Sequence, residues 1–358
     1  MLRSRSIFAI LLACVGCSSS NATQTTTPYP SAVVRAAYDV HEWGLLRSVA
    51  GDVLRVSAIA PPPQVRVEML TVDKPLLYFH ADAPLTLRSV RVATPGGSIL
   101  ETWPYVPGEH IATWENISVT HEGECTPSPL PEYDEAPCTG LGPDVACESP
   151  ELEITRTSDA ACVRVGSATE RFLFYRAEAR TYTPPLRFTR RADGEVDVTN
   201  ESDVPIPGVL VRILRESART QTWMTTAPAP HATSLLGRSL TSDRQDEANM
   251  PVQVDQTRQE DLTAGREGIR RSMTEIGLTQ TEFEAFMRAW DRTLFVTPGV
   301  VDGLTVVDGD AGPSETVLYF LPPSTLDGIA TLTFDPAPRA VHRALALWTV
   351  LPREGSSR

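Results

Sequence analysis

The sequence lacks a basic surface, a long apolar segment beyond its start, and the common catalytic fingerprints. Its 358 residues carry 32 Lys and Arg against 45 Asp and Glu, which gives a formal net charge of −13. Because phosphate binding requires a basic face, this balance argues against a nucleic-acid partner. No segment after residue 20 is long and apolar enough to span a bilayer. There is no G-x-S-x-G, no Walker loop and no dinucleotide-binding fingerprint.

The first residues are typical of an exported bacterial lipoprotein. Arg3 and Arg5 precede a short apolar stretch at 7–13, and a CVGCSSS run follows it. Small residues before a cysteine resemble the lipobox, at which signal peptidase II cuts and the cysteine is acylated. Both Cys14 and Cys17 are candidates. We favour Cys17, because acylation there leaves an even number of cysteines in the mature chain.

The predicted location is therefore the cell envelope, where a lipid would hold the protein on a membrane. Ser18, rather than Asp, follows the favoured cysteine, and by the usual sorting tendency this indicates the outer membrane, facing the periplasm or the cell surface. The Thr-, Pro- and Ser-rich residues at 17–31 predict a flexible tether. The expected partners are the membrane, through this anchor, and a protein or glycan ligand of unknown identity.

The rest of the chain predicts a mainly β protein. There are 30 prolines, and many short runs alternate apolar and polar residues. Continuous apolar runs at 72–80, 171–176 and 317–321 predict strands buried on both faces, and we expect these to form the spine of the fold. Thr279 and Glu282 form a capping box before an amphipathic helix. The predicted fold class is a β-sandwich with immunoglobulin-like regions and a small C-terminal helical hairpin.

These patterns divide the chain into seven segments. They are a lipoprotein signal peptide (1–16), a flexible tether (17–31), an N-terminal β-sandwich region (32–120), a Cys- and Pro-rich loop (121–162), a second β region (163–255), a helical hairpin (256–295) and closing β strands (296–358). Whether the two β regions are separate domains stays open.

Four cysteines lie in or beside the long loop: Cys125, Cys138, Cys147 and Cys162. An exported protein reaches an oxidising compartment, so we expect two disulfides, each stabilising the fold by about 2–4 kcal/mol. The spacing allows three pairings and does not choose among them. A zinc site is the alternative, although no C-x-x-C is present.

Several polar residues are candidates for a site built by strand pairing. They are His41, Glu42, His80, Glu101 and His110. His41 and Glu42 begin an HEWG motif and should point to opposite faces of a strand; a zincin motif fails because Leu45 stands where a second His is needed. Strand pairing could gather two or three of the five into a metal or acid–base site. The alternative is scattered structural and surface residues, and neither a metal ligand set nor a cofactor is assigned.

A set of motifs resembles an uncharacterised family of bacterial secreted proteins and lipoproteins. They are HEWG at 41–44, KPLLYF at 74–79, ETWPY at 101–105, FLFYR at 172–176, AWDRTLF at 289–295, YFLP at 319–322 and PAP at 336–338. The resemblance covers most of the mature chain. It implies an exported protein and brings no known activity with it.

The sequence thus favours a cell-envelope lipoprotein with a binding or structural role. The alternative is a secreted or periplasmic metal-dependent hydrolase with a site near His41. The two differ in what the fold should show. A hydrolase should gather three or more of the five polar candidates in one place, whereas a binding module should leave them dispersed.

Overall fold

The computed structural model describes residues 37–49, 69–120, 125–129, 155–156, 159–179, 182–216, 219–236, 254–295 and 314–351. The acylation candidates Cys14 and Cys17, the tether, and Cys138 and Cys147 lie outside these ranges. All the described elements belong to one compact unit that begins at Arg35.

The described part of the chain is mainly β, with helices towards its C-terminal end, which confirms the predicted fold class. The strands are β1 Tyr38–Val49, β2 Met69–Ala81, β3 Leu85–Ala93, β4 Ser98–Trp103, β5 Ile111–Val119, β6 Val163–Val165, β7 Ala168–Glu170, β8 Leu173–Ala179, β9 Leu186–Arg190, β10 Val196–Asn200, β11 Val209–Glu216, β12 Arg219–Thr226, β13 Thr233–Leu235, β14 Ser314–Phe320, β15 Thr331–Asp335 and β16 Ala340–Val350. The helices are α1 Val254–Ile276, α2 Gln280–Phe295 and α3 Pro323–Ile329.

One large sheet organises the molecule. It has eight strands in the order β12-β11-β14-β16-β1-β2-β8-β4, and it contains all three of the apolar runs expected to form the spine. At its centre β1 pairs in parallel with β16 and antiparallel with β2. The two ends of the described chain therefore meet in the middle of the sheet, where both flanking strands fix the position of each β1 side chain.

The large sheet is covered on both faces. On one face, residues such as Val40 and Phe79 share a core with β3 and β5 of a five-stranded sheet and with β9 and β10 of a three-stranded sheet. On the other face, Trp43 and Tyr78 pack with residues of α1 and α2. The result is a sheet-on-sheet arrangement with a layer of helices on the outer face.

The helical hairpin follows the pattern read from the sequence. Gly277 ends α1 with a φ of 109°, which favours glycine. The capping box at the start of α2 is present: the Thr279 N–H donates to Glu282 Oε2 at 2.8 Å, and the Glu282 N–H donates to Thr279 Oγ1 at 3.2 Å. The predicted apolar stripe is buried, with Phe286, Met287, Trp290 and Leu294 all in the core beneath the sheet.

One disulfide, Cys125–Cys162, joins the two ends of the long loop, with the cysteines 37 residues apart in sequence. The same region holds a buried carboxylate, Glu170, which accepts a hydrogen bond from Trp103 Nε1 and pairs with Arg156 at 2.6 Å. A covalent bond and a buried ion pair thus hold the described ends of this loop. None of the helices in the described ranges combines the length and apolar character needed to cross a bilayer.

Candidate functional site

Three histidines converge on one face at the centre of the large sheet. In the parallel pair of β1 and β16, His41 stands opposite His342. In the antiparallel pair of β1 and β2, His41 stands opposite Tyr78, and His80 lies two residues farther along the same strand. Because side chains two residues apart share a face, His80 projects on the same side as His41. The ring centres of His41 and His80 are 4.2 Å apart, and those of His41 and His342 are 4.9 Å apart.

A carboxylate from the helical layer contacts two of these rings, those of His41 and His80. Glu282 lies at the third position of α2, and its carboxylate is 2.9 Å from His41 Nδ1 and 3.1 Å from His80 Nε2. The Glu282 side chain is fully buried, and the side chains of His41 and His80 are 9% and 15% exposed. The capping box helps to position this carboxylate, because the Thr279 N–H donates to Oε2.

The charge state of Glu282 follows from these contacts. Burial by itself would raise the pKa of the carboxyl group. The hydrogen bonds from His41 and His80, together with the positive charge those rings can carry, outweigh burial and lower the pKa of Glu282 to about 2. The site therefore holds a buried anion beside two imidazoles.

His342 is oriented by the end of α1. Its Nδ1 lies 2.8 Å from the carbonyl oxygen of Ile276, the last residue of that helix. A carbonyl only accepts, so Nδ1 carries the proton and the Nε2 of the neutral ring is left with a lone pair. Gly277 lies against the ring, and a Cβ at that position would come within 2.4 Å of Nδ1. The ring is therefore held in place by the helix end.

The floor of the site is aromatic and buried. Trp43 packs on Tyr78 with ring centres 6.0 Å apart and meets Phe286 edge-on at 5.7 Å. The Tyr78 hydroxyl donates to the carbonyl oxygen of Thr155 at 2.8 Å. Burial, followed by the nearby charge of Glu282, raises the pKa of Tyr78 well above its ordinary value. This low-polarity floor strengthens the electrostatic interactions of the groups above it.

An exposed ion-pair network lies at the ends of the same strands. Arg339 donates to Asp39 and to Asp82, each at 2.7 Å. Hydrogen bonds from Arg339 lower the pKa of Asp39, and the charges of Arg339, His342 and His41 add to the effect. This network precedes β16 and connects it to the first residues of β1 and the end of β2.

Three ligand atoms of the site have the spacing that a metal ion requires. The donor atoms of His41, His80 and Glu282, which we call the three-residue cluster, all lie within 4.8 Å of one another. Donor atoms around a tetrahedral zinc ion, with bonds of about 2.1 Å, are about 3.4 Å apart. Two imidazoles and one carboxylate also match the donor set of known three-ligand zinc sites. The arrangement is therefore able to hold a transition-metal ion.

The remaining polar candidates lie elsewhere. Glu42 points to the opposite face of β1, where it is fully buried and pairs with Arg343. Glu101 pairs with Arg176 at 3.3 Å near the edge of the sheet. His110 Nδ1 donates to the carbonyl oxygen of Gly97 at 2.6 Å. The fold therefore brings two of the five candidates together, His41 and His80, and separates the other three from them.

Two members of the site were missed by sequence reasoning. Glu282 was interpreted as a capping residue, which it is, and this local role concealed its contact with two histidines. His342 lies in β16, which begins at Ala340 within the segment predicted to hold the closing strands, and it was not among the polar candidates. One signal was present: His342-Arg343 repeats the His-then-charge pattern of His41-Glu42 at the start of an apolar strand.

No protein-family model, no curated protein and no solved structure matches the chain. The resemblance to a family of secreted proteins and lipoproteins stays an expectation from the sequence.

Proposed function

We propose that the protein binds a divalent transition-metal ion through His41 Nδ1, His80 Nε2 and the Glu282 carboxylate. The observation that carries the proposal is the convergence of these three donors, from two strands and a helix, within 4.8 Å in a largely buried position. The sequence alone assigned no metal, because the carboxylate comes from a helix 241 residues after His41 and 202 residues after His80.

The donor set selects the class of ion. Imidazole nitrogen suits zinc, copper, nickel, cobalt and iron, whereas calcium and magnesium prefer oxygen ligands. In the structure the His41 and His80 nitrogens hydrogen-bond to the carboxylate. Those same atoms must lose their protons to bind the ion, so metal and protons compete for the site.

The protein is further proposed to be a lipoprotein of the cell envelope, anchored by Cys17 or alternatively by Cys14. The signal-like start of the sequence supports this, as does the Cys125–Cys162 disulfide, since disulfides persist in oxidising compartments. Ser18 favours the outer membrane. A protein or glycan ligand for the β surfaces remains part of the proposal without an assigned site.

A second candidate function is metal-dependent hydrolysis. Three protein ligands leave one position of a tetrahedral ion for water, which is the arrangement in catalytic zinc sites. The observation that favours this alternative is the count of converging donors, which is three. A structural zinc site, by contrast, almost always has four protein ligands.

Metal analysis of the full chain, purified in detergent, tests the proposal. After chelation and addition of Zn²⁺, we expect one zinc per chain in the wild type. His80→Ala should weaken binding severely, because it removes one of the donors. His110→Ala is a matched control and should bind as the wild type does, since His110 is bonded to Gly97 away from the cluster. Zinc binding that is unaffected by His80→Ala would contradict the proposal.

Labelling with radioactive palmitate tests the anchor. The wild-type chain should label and remain in the membrane fraction, and Cys17→Ser should lose both properties. A Cys17→Ser protein that still labels would assign the acylation to Cys14 instead.

A further inference from the structure

We propose that His342 is a fourth ligand of the same ion and binds it through Nε2. This inference rests on the proposed metal site and deepens it. It makes the site a three-histidine, one-glutamate centre. It also decides between the two functional classes, because an ion with four protein ligands has no tetrahedral position left for a catalytic water.

The position of His342 beside His41 fits a ligand of the same ion. His342 stands directly opposite His41 on the neighbouring parallel strand, and its ring centre is 4.9 Å from that of His41. Two imidazoles bound to one tetrahedral ion, with metal–nitrogen bonds of about 2.1 Å, have ring centres about 5 Å apart. The separation in the structure is therefore the one that two ligands of a single ion would have.

The tautomer and the orientation of the His342 ring also fit a metal ligand. Metal-binding histidines commonly donate their other N–H to a carbonyl or carboxylate, which fixes the tautomer and orients the ring. His342 does this, since its Nδ1 donates to the carbonyl oxygen of Ile276 at 2.8 Å. Its Nε2 is left as the nitrogen with the lone pair. Gly277, which leaves no room for a side chain at this point, lets the helix end approach the ring.

The number of donors and the net charge of the site favour a third imidazole. His342 is not among the three residues whose ligand atoms lie within 4.8 Å of one another, so its ring centre has the spacing of a second ligand but its Nε2 atom must shift towards the cluster when the ion binds. Glu282 gives the cluster one negative charge, and a divalent ion would change the net charge of the site to +1. A third neutral imidazole adds a donor without adding charge, and the buried aromatic floor favours this over an additional ion.

The ion would then act as a fixed cross-link. His41, His80 and His342 come from three adjacent strands, and Glu282 comes from the start of α2. An ion bound to all four would tie the centre of the sheet to the helical layer. This is the arrangement of a structural or cargo metal site, and it favours the binding role over hydrolysis.

X-ray absorption of the zinc-loaded full chain tests the proposal without any substitution. We expect a first shell of four N or O atoms, of which three are imidazoles. A first shell with only two imidazoles would overturn the assignment of His342 and leave the three-residue cluster intact. A wild-type protein that binds no zinc would overturn both proposals, so the two failures are distinguishable.

A variant pair provides the second measurement. His342→Asn replaces the ring by an amide whose N–H can still donate to Ile276, but it removes the proposed ligand atom. His110→Asn is the matched control, because His110 also donates Nδ1–H to a backbone carbonyl. We expect His342→Asn to weaken zinc binding by tenfold or more, since loss of even an outer-shell partner commonly costs about tenfold to a hundredfold. The variant should also lose one imidazole from the first shell and show a changed visible spectrum in its Co²⁺ form. Wild-type affinity and spectra in His342→Asn would show that the ring has a structural role only.

Discussion

The two faces of the β1–β16 pair carry charged residues at adjacent sequence positions, but the groups that pair with the buried charges differ between the faces. We call the side with His41 and His342 the front face and the side with Glu42 and Arg343 the back face. On the back face, Arg343 donates to Glu42 and to Asp327, the Tyr175 hydroxyl donates to Glu42 at 2.7 Å, and the carbonyl oxygen of Ala330 accepts from Arg343. Each buried charge there has a partner of opposite sign.

In the described part of the chain, no lysine or arginine pairs with Glu282 on the front face. This face offers three imidazoles and one buried carboxylate, and the positive charge opposite Glu282 is present only while the rings hold protons. On the back face, the arginine is always charged, so it neutralises the buried carboxylate without any bound ligand. The contrast is the one expected if the back face is complete without a ligand, whereas the front face receives its cation as the proposed metal ion. The following predictions test this division.

The largest expected effect is on the back face. Arg343→Met removes the cation and leaves Glu42 buried without its ionic partner, so we expect the free energy of unfolding to fall by about 3–5 kcal/mol. Chemical denaturation measures this loss. Adding Glu42→Gln should recover much of it, because the double variant buries no uncompensated charge. A single variant as stable as the wild type would contradict the structural role of this pair.

A loss of similar size should arise from the disulfide, without touching either face of the strand pair. Cys125→Ser opens a link between residues 37 positions apart. We expect the free energy of unfolding to fall by about 2–4 kcal/mol, because the unfolded chain gains freedom. The folded fraction of Cys125→Ser should still bind one zinc per chain. Loss of zinc binding in the folded variant would place the metal at the cysteines and contradict the front-face site.

On the front face, the expected effect appears only when metal is added. Zinc at a hundred times its dissociation constant should stabilise the wild type by about 2.7 kcal/mol. Glu282→Gln should remove most of this gain, although Gln preserves the capping box. Glu284→Gln, which changes an exposed residue of the same helix, should respond to zinc as the wild type does. Thermal unfolding with and without zinc provides the measurement, and an equal gain in both variants would exclude Glu282 as a ligand.

The smallest effect should come from the helix cap that positions Glu282. Thr279→Ala removes the hydroxyl that accepts the Glu282 N–H, and we expect a loss of about 1 kcal/mol in the free energy of unfolding. The backbone N–H of residue 279 still reaches the carboxylate, so one zinc per chain should still bind. Complete loss of zinc binding would mean that the cap, rather than the histidines, organises the front face.

Local patterns predicted what depends on neighbours in sequence. The apolar stripe of α2, its capping box and the buried run of β2 were all readable, because helix and strand periodicities repeat over a few residues. The pairing of β1 with β16 was not, since it joins residues about three hundred positions apart and no local signal encodes it. The site depends on that pairing, and so His342 could not be assigned from the sequence.

The five polar candidates show the same limit. Alternation along β1 places His41 and Glu42 on opposite faces, and they do lie on opposite faces, one with the helices and one with Arg343. Predicting which residues form strands does not predict which strands pair. The contacts of His80 with His41, and of Glu101 with Arg176 near a sheet edge, therefore could not be predicted. Glu282 was visible only as a cap because its second role needs the tertiary packing of α2 on the sheet.

The most direct test of the metal site is an anomalous difference map from crystals of the zinc-loaded protein, measured above and below the zinc absorption edge. The account predicts a single strong peak about 2.0–2.2 Å from His41 Nδ1, His80 Nε2 and a Glu282 carboxylate oxygen. A zinc peak elsewhere, with both histidines still hydrogen-bonded to Glu282, would contradict it.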